Sequence, residues 1–402
     1  MPIGHPVFWI LLCAVLAPLL AEIPLRFKVP VVVIEVLLGI LIGPHVFDLV
    51  QFEGFVPVMF TLGMALTLFM AGMELDFSQI RGQPLALASL GWVLSVVLGF
   101  LAVAILHVIP QEHAPMMVTL ALCTTGLGVL LPVFRDGGGL GTPFGRLVMA
   151  AGTLGELGPI VVMSLLLSTR YSTWQEAGFL VVFLAIVGMA IAIGMGVRAP
   201  KVVALLGRHM HASTQLPVRI SFLMLAGLFA LAKDFGFESI FGAFAAGMIV
   251  GQATRGKDGR PLREKIEGVA FGWFYPFFFV GIGIKFDATA LVQDLATMLL
   301  VPTFAFLFLL VRGVPVLLYR RAISPAQRLP FVLASAVPSL SIVVVITEIG
   351  TAAKKMNSDI AAALVGAALL SIMVYPTIAG FVLQQGPGPE PASGTKRSIT
   401  PG

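Results

Sequence analysis

Thirteen stretches of this chain stay apolar for fifteen to twenty-six residues at a time: 6–24, 29–48, 56–74, 85–109, 115–134, 145–167, 177–197, 216–234, 238–252, 268–285, 294–319, 328–350 and 358–383. About twenty apolar residues in a helix rising 1.5 Å per residue match the hydrocarbon thickness of a bilayer. Backbone amides in lipid must be satisfied within the segment, which makes each such run a helix. The sequence therefore predicts an all-α polytopic membrane protein with about thirteen transmembrane helices. Composition agrees, since 58% of residues are hydrophobic and only 11% charged, far from the balance of a soluble domain. The ninth run is the shortest and is compatible with a re-entrant segment.

The loops between these runs differ in charge. Alternate loops collect nineteen Lys and Arg on one side and five on the other (Arg170, Lys233, Lys285, Lys354 and Lys355), leaving Arg312 inside a span. Basic loops face the cytoplasm, so the N-terminus is expected outside and the C-terminus inside, in a cell or inner membrane. The net charge of +5 follows from this bias and calls for no nucleic acid. The first apolar run is long enough to be a retained helix rather than a cleaved leader. Residues 385–402, rich in Pro, Gly, Ser and Thr, are expected to form a disordered cytoplasmic tail. Cys13 and Cys123 lie in apolar segments without metal-ligand spacing, and no nucleophile–base pair, phosphate loop or metal cluster appears. Neither an enzyme nor a cofactor is expected, and no metal beyond a transported ion.

One acid stands out. Glu156 is the single ionisable residue between Val148 and Leu167, about ten residues or roughly 15 Å from the cytoplasmic end of its span. Placing an acid at the centre of a spanning helix costs about 2.5 to 3.5 kcal/mol, so its presence asks for a function. A carboxylate that can hold either a proton or a metal cation couples the two by competition. Gly155, Gly158 and Pro159 are expected to leave the neighbouring backbone thinly covered and kinked. The competing reading is a structural acid paired with a base.

Arg312, flanked by Gly313 and Pro315, lies near the inner end of the eleventh span, where its side chain can either snorkel to the surface or serve as a charge partner for Glu156. The fifth span carries Cys123, Thr124, Thr125, Gly126 and Gly128 in its middle, and the twelfth carries Pro338, Ser339 and Ser341. Paired interruptions at membrane depth point to a transporter's binding site, because freed backbone groups and half-helix ends can coordinate ions. Close helix packing is the plainer explanation for each one alone. The fifth span precedes the Glu156 helix and the twelfth follows the Arg312 helix, so spans two to six and nine to thirteen form two five-helix blocks. Five being odd, the blocks insert with inverted topology. Glu35, about six residues from the inner end of the second span, is a candidate for gating or packing. Gly242, Gly247 and Gly251 permit close helix approach.

Four runs in order, PVVVIEVLLGILIGP (Pro30–Pro44), LGMALTLFMAGMELD (Leu62–Asp76), FESIFGAFAAGMIVG (Phe237–Gly251) and FYPFFFVGIGIKFD (Phe274–Asp287), resemble the monovalent cation:proton antiporter family, the sodium/proton and potassium/proton exchangers. The resemblance implies thirteen helices, an inverted five-helix repeat and two crossed discontinuous helices. It further implies a membrane transporter over 1–384 with a mobile ion-binding core (spans four to six and eleven to thirteen, about 85–167 and 294–383). A homodimer-forming scaffold (spans one to three and eight to ten, about 6–74 and 216–285) and a linker at about 177–197 complete it. Carried over by position, Glu156 falls at the family's essential ion-binding acid, Arg312 at its membrane-embedded base, and Thr124 and Thr125 at the Thr-Ser of the first crossing helix. The sequence departs from the family at Gly155, where many members have Asp, Asn or Gln, and at Glu156 itself, where Asp is usual. The expected activity is exchange of Na+ or K+ for H+ by alternating access, elevator-like and electroneutral. An uncoupled or channel-like cation pathway, or a non-transporting sensor on the same scaffold, is the alternative.

Overall fold

The computed structural model describes residues 4–23, 29–75, 82–106, 114–127, 142–167, 178, 214–235, 237–254, 259–286 and 295–385. Every regular element among them is helical: α1 (Gly4–Ala21), α2 (Val31–Ile42), α3 (Val56–Glu74), α4 (Gln83–Leu106), α5 (Ala114–Leu122), α6 (Pro143–Leu167), α7 (Leu216–Asp234), α8 (Ser239–Ala253), α9 (Arg260–Val269), α10 (Tyr275–Lys285), α11 (Leu295–Gly313), α12 (Pro325–Ser335), α13 (Leu340–Ala352) and α14 (Ser358–Gln385). Nine segments among the described residues are long and apolar enough to cross a membrane, and α2 and α8 are shorter apolar helices. The expected seventh span, the tail beyond residue 385 and Gly128 lie outside the described residues.

Two spans differ from their expected shapes. The tenth begins at Arg260, not near 268, because α9 and α10 are joined through a π-helical stretch at Ala270–Phe274 into one continuous element. The charged residues ahead of the apolar run pair along the helix, with Arg263 Nε donating to Glu267 Oε1 at 2.8 Å one turn away. The eleventh is α-helical only to Gly313 and tightens into a 3₁₀ stretch at Val314–Tyr319. Pro315 lacks the N–H that an α-turn would need there.

The ninth run is a helix, α8, buried along almost its whole length. Its glycines explain how so short a helix stays inside. A methyl group on Gly247 would lie 1.9 Å from the Phe69 carbonyl oxygen of α3, and one on Gly242 1.9 Å from the Leu228 carbonyl oxygen of α7. Backbone-to-backbone packing of this kind is how helices associate where lipid offers no hydrophobic drive. Gly39 of α2 and Gly283 of α10 make a matching pair, each admitting the other helix's backbone. Helices α2, α3, α7, α8 and α10 thus pack on one another, while α4 with α6, and α11, α12 and α13 with α14, form a second group.

The twelfth span is broken as expected. Helix α12 ends at Ser335, residues 337–339 are non-helical with Ser339 extended, and α13 starts at Leu340. Helix α5 likewise stops at Leu122, and residues 124–126 are non-helical. The two breaks meet, since Gly126 N donates to Val337 O at 2.9 Å. A methyl group on Gly126 would sit 2.8 Å from the Pro338 carbonyl oxygen, so only glycine lets the segments cross this closely.

Candidate functional site

Glu156 lies on α6 beside this crossing and is 3% exposed. Its Oε1 accepts the Leu127 N–H at 2.9 Å, just past the break in the fifth span. Its Oε2 is buried and has no hydrogen-bond partner among the described residues. A buried carboxylate oxygen left unmatched is costly, and a proton, a cation or water removes that cost. Space for such an occupant adjoins it, in a cavity of about 150 Å³ lined by Glu156, Gly126, Pro338, Ser339 and Ser341 on one side. The opposite wall carries Thr67, Glu74 and Tyr275. A water takes about 30 Å³ of liquid volume, so the cavity has room for a cation and a few waters. The polar side chains that line it carry oxygen alone, which suits hard alkali cations.

Helix α6 runs unbroken through Gly155, Gly158 and Pro159. The backbone beside Glu156 is not thinly covered, as the sequence suggested: the glycines make room for neighbours. A methyl group on Gly155 would meet Thr125 Cβ at 2.6 Å, and one on Gly158 would meet the Trp92 ring at 2.3 Å. Gly155 O also accepts the Thr125 N–H at 3.2 Å. Gly155 thus seats the crossing segment on α6 and is not among the residues lining the cavity.

Arg312 is 4% exposed, so its side chain does not snorkel to the surface. Nor is it paired with Glu156. Its Nε donates to Thr125 Oγ1 at 2.8 Å, Nη1 to Ser95 Oγ at 3.3 Å and Nη2 to the Ala151 carbonyl at 2.9 Å. Thr125 Oγ1 passes the chain on by donating to Ser335 O at 2.6 Å, at the end of α12. Arg312 therefore ties α4, α6 and α12 to the first crossing segment, with its charge near the carbonyl ends of the half-helices α5 and α12. Thr124 closes its own helix, Oγ1 donating to Ala121 O at 2.8 Å. Glu35 is 6% exposed, on α2 near Cys13 of α1, and does not line the Glu156 cavity.

The structure thus brings Glu156, Gly126, Pro338, Ser339 and Ser341 to one cavity and places Thr124, Thr125, Gly155 and Arg312 behind it as its frame. Sequence reading missed Thr67, Glu74 and Tyr275 across from them. Glu74 is the only acid of α3 and lies within the second quoted motif, two residues before its closing Asp76; standing at the helix end, it lacks the mid-span isolation that picked out Glu156.

A family model described as "Sodium/hydrogen exchanger, transmembrane" matches residues 11–385. The chain belongs to the sodium/hydrogen exchanger family. Among curated relatives it is 24% identical over 392 residues to the putative Na(+)/H(+) antiporter YjbQ of Bacillus subtilis, covering 91% of this chain and 61% of that protein. It is 26% identical over 294 residues to the Na(+)/H(+)-K(+) antiporter GerN of Bacillus cereus, covering 70% of this chain and 72% of that one. The chain thus spans less than two thirds of the Bacillus subtilis relative's length. Among solved structures, the sodium proton antiporter MjNhaP1 from Methanocaldococcus jannaschii superimposes with a TM-score of 0.60 at 18% identity, covering 96% of this chain and 99% of that one. The exchanger fold is therefore shared over nearly the whole length, including the region that holds Glu156.

Proposed function

We propose that this exchanger-family chain is a secondary antiporter that swaps Na+ or K+ for H+ at Glu156. The observation that carries the reading is the unpartnered Oε2 beside an oxygen-lined cavity. Deprotonated Glu156 takes the cation through Oε2 while Oε1 stays anchored to Leu127 N. The bound cation leaves to the opposite side, and a proton then occupies the same oxygen for the return. Family membership and the relatives' names support this choice of substrates.

The two packing groups supply the moving parts of the reading. The group holding α4, α6 and α11–α14 is the mobile core carrying Glu156, and the group holding α2, α3, α7, α8 and α10 is the scaffold through which two copies form a homodimer. Thr67, Glu74 and Tyr275 belong to the scaffold and face Glu156 across the seam. Glu74 therefore does not travel with the cation. One travelling carboxylate carries either one cation or one proton, which makes the exchange electroneutral. Orientation follows the loop charges, with the C-terminus cytoplasmic.

The testing experiment is ion-driven proton flux in proteoliposomes, read with a pH-sensitive dye. Alkalinisation or acidification on imposing a Na+ or K+ gradient, insensitive to membrane potential, is the expected result. Cation flux without proton movement would replace antiport by an uncoupled pathway. Current under a clamped gradient would overturn electroneutrality, since each net charge moved is worth about 2.3 kcal/mol per 100 mV.

A further inference from the structure

A second cavity, of about 210 Å³, lies along the same seam and is lined by Lys285, Glu348, Thr347, Thr351 and Ser358. Lys285 is the last residue of α10, and Glu348 sits near the end of α13. Their side chains form an ion pair, Lys285 Nζ on Glu348 Oε2. The ammonium also stands 4.9 Å from the Phe52 ring centroid and 5.5 Å from that of Phe60. Helix α3 orders the two cavities in space. Phe60 near its start touches the Lys285 cluster and Glu74 at its end lines the Glu156 cavity, roughly 21 Å apart at 1.5 Å per residue. The ion pair therefore closes the seam at the end opposite the Glu156 cavity.

We propose that Lys285 and Glu348 are positioning residues for exchange: a latch across the seam that holds the present conformation and parts when Glu156 turns to the latch face. This rests on the core-and-scaffold reading above. Lys285 belongs to a helix packed on α2 and α3, whereas Glu348 belongs to α13, packed mainly on α14 and α5 and meeting the scaffold at α3. The pairs Arg260–Glu264 and Arg263–Glu267, by contrast, each lie within one helix and cannot report on movement between groups. A latch has to open. The two side chains are 32% and 30% exposed, so water screens their attraction and keeps it breakable. The faces of Phe52 and Phe60 hold the ammonium where Glu348 will meet it again on return. Because both phenyl groups and Lys285 sit on the scaffold side, the cation is pre-placed and Glu348 is the element that leaves.

Removing the latch favours the conformation in which Glu156 meets the latch face. Two states in exchange share one equilibrium, so the shift has opposite signs at the two membrane faces. In oriented proteoliposomes, Lys285→Met and Glu348→Gln are each expected to lower the Na+ KM at the latch face and raise it at the other. The size expected is about two- to fivefold, the factor a partly screened ion pair carries. The double exchange Lys285→Glu with Glu348→Lys is expected to recover part of the wild-type ratio, since the ion pair returns but the Phe52 and Phe60 faces no longer hold a cation. A merely structural pair would lower the melting temperature and move both KM values together or neither, and that outcome overturns the proposal. A second arm separates this failure from failure of the moving-core reading. Lys285→Cys with Glu348→Cys, bridged by a short bismaleimide, is expected to halt exchange; the native Cys13 and Cys123 are buried and stay unlabelled. Full exchange in the bridged protein overturns the moving core itself. A halted bridged protein whose single variants leave the KM ratio unchanged overturns the latch alone.

Discussion

At Glu156 the two carboxylate oxygens differ in their surroundings, because Oε1 is held by Leu127 N at 2.9 Å while the buried Oε2 is without a partner. In the proposed exchange, proton and alkali cation compete for the same atom. The apparent KM for the cation is accordingly expected to rise as pH falls, measured as initial exchange rates against Na+ or K+ at a series of pH values; a KM independent of pH would mean the two ions use separate sites. Arg312 makes a different claim. It donates to Thr125, Ser95 and Ala151, so Arg312→Ala leaves the Ala151 carbonyl and the Thr125 hydroxyl without their charged donor. Loss of stability on the order of 3 kcal/mol follows, read as a lower melting temperature in detergent. An unchanged melting temperature would remove Arg312 from the frame of the crossing. Glu156 was readable in the sequence because a lone acid in an apolar run is conspicuous. The true partners of Arg312 were not, since they lie on α4, α6 and the first crossing segment, 161 to 217 residues away in sequence.

Breaks and close approaches decide what the helices do. The interrupted twelfth span was legible because Pro338 and two serines interrupt an apolar run, and the crossing with residues 124–126 realises what two such breaks can form. The extra length of the tenth span escaped notice because pairs such as Arg263–Glu267 let charged residues continue a helix that hydropathy alone would end. Glycine roles were legible as packing but not as to partner. Gly247→Ala is expected to force α8 away from α3, where the new methyl would stand 1.9 Å from the Phe69 carbonyl oxygen. Overpacking of this kind costs about 1 to 3 kcal/mol, checked by thermal unfolding, while alanine at Gly227, which has nothing within 4 Å, is expected to be neutral. Equal stability of the two variants would refute the close-approach explanation of α8. Gly126→Ala is expected to impair exchange more than stability, because it separates the crossing segments that line the cavity.

At the scale of the whole molecule, the proposed exchange has Glu156 as the shared seat of two ions, carried by one group of helices past another. Thr67, Glu74 and Tyr275 face it from the second group, so the cavity exists only where the groups meet. The division into core and scaffold was legible through the family resemblance, and Thr67, Glu74 and Tyr275 lie within two of the quoted runs, but nothing in the sequence showed that these three side chains meet Glu156 across the seam. The measurement that bears most directly on the account is cation-driven proton flux in proteoliposomes holding either wild-type protein or Glu156→Gln, a substitution that keeps the side chain's shape. Wild type is expected to exchange, and the variant is expected to be inactive while retaining a wild-type elution profile and a melting temperature at least as high. Exchange by Glu156→Gln at the wild-type rate would contradict the account.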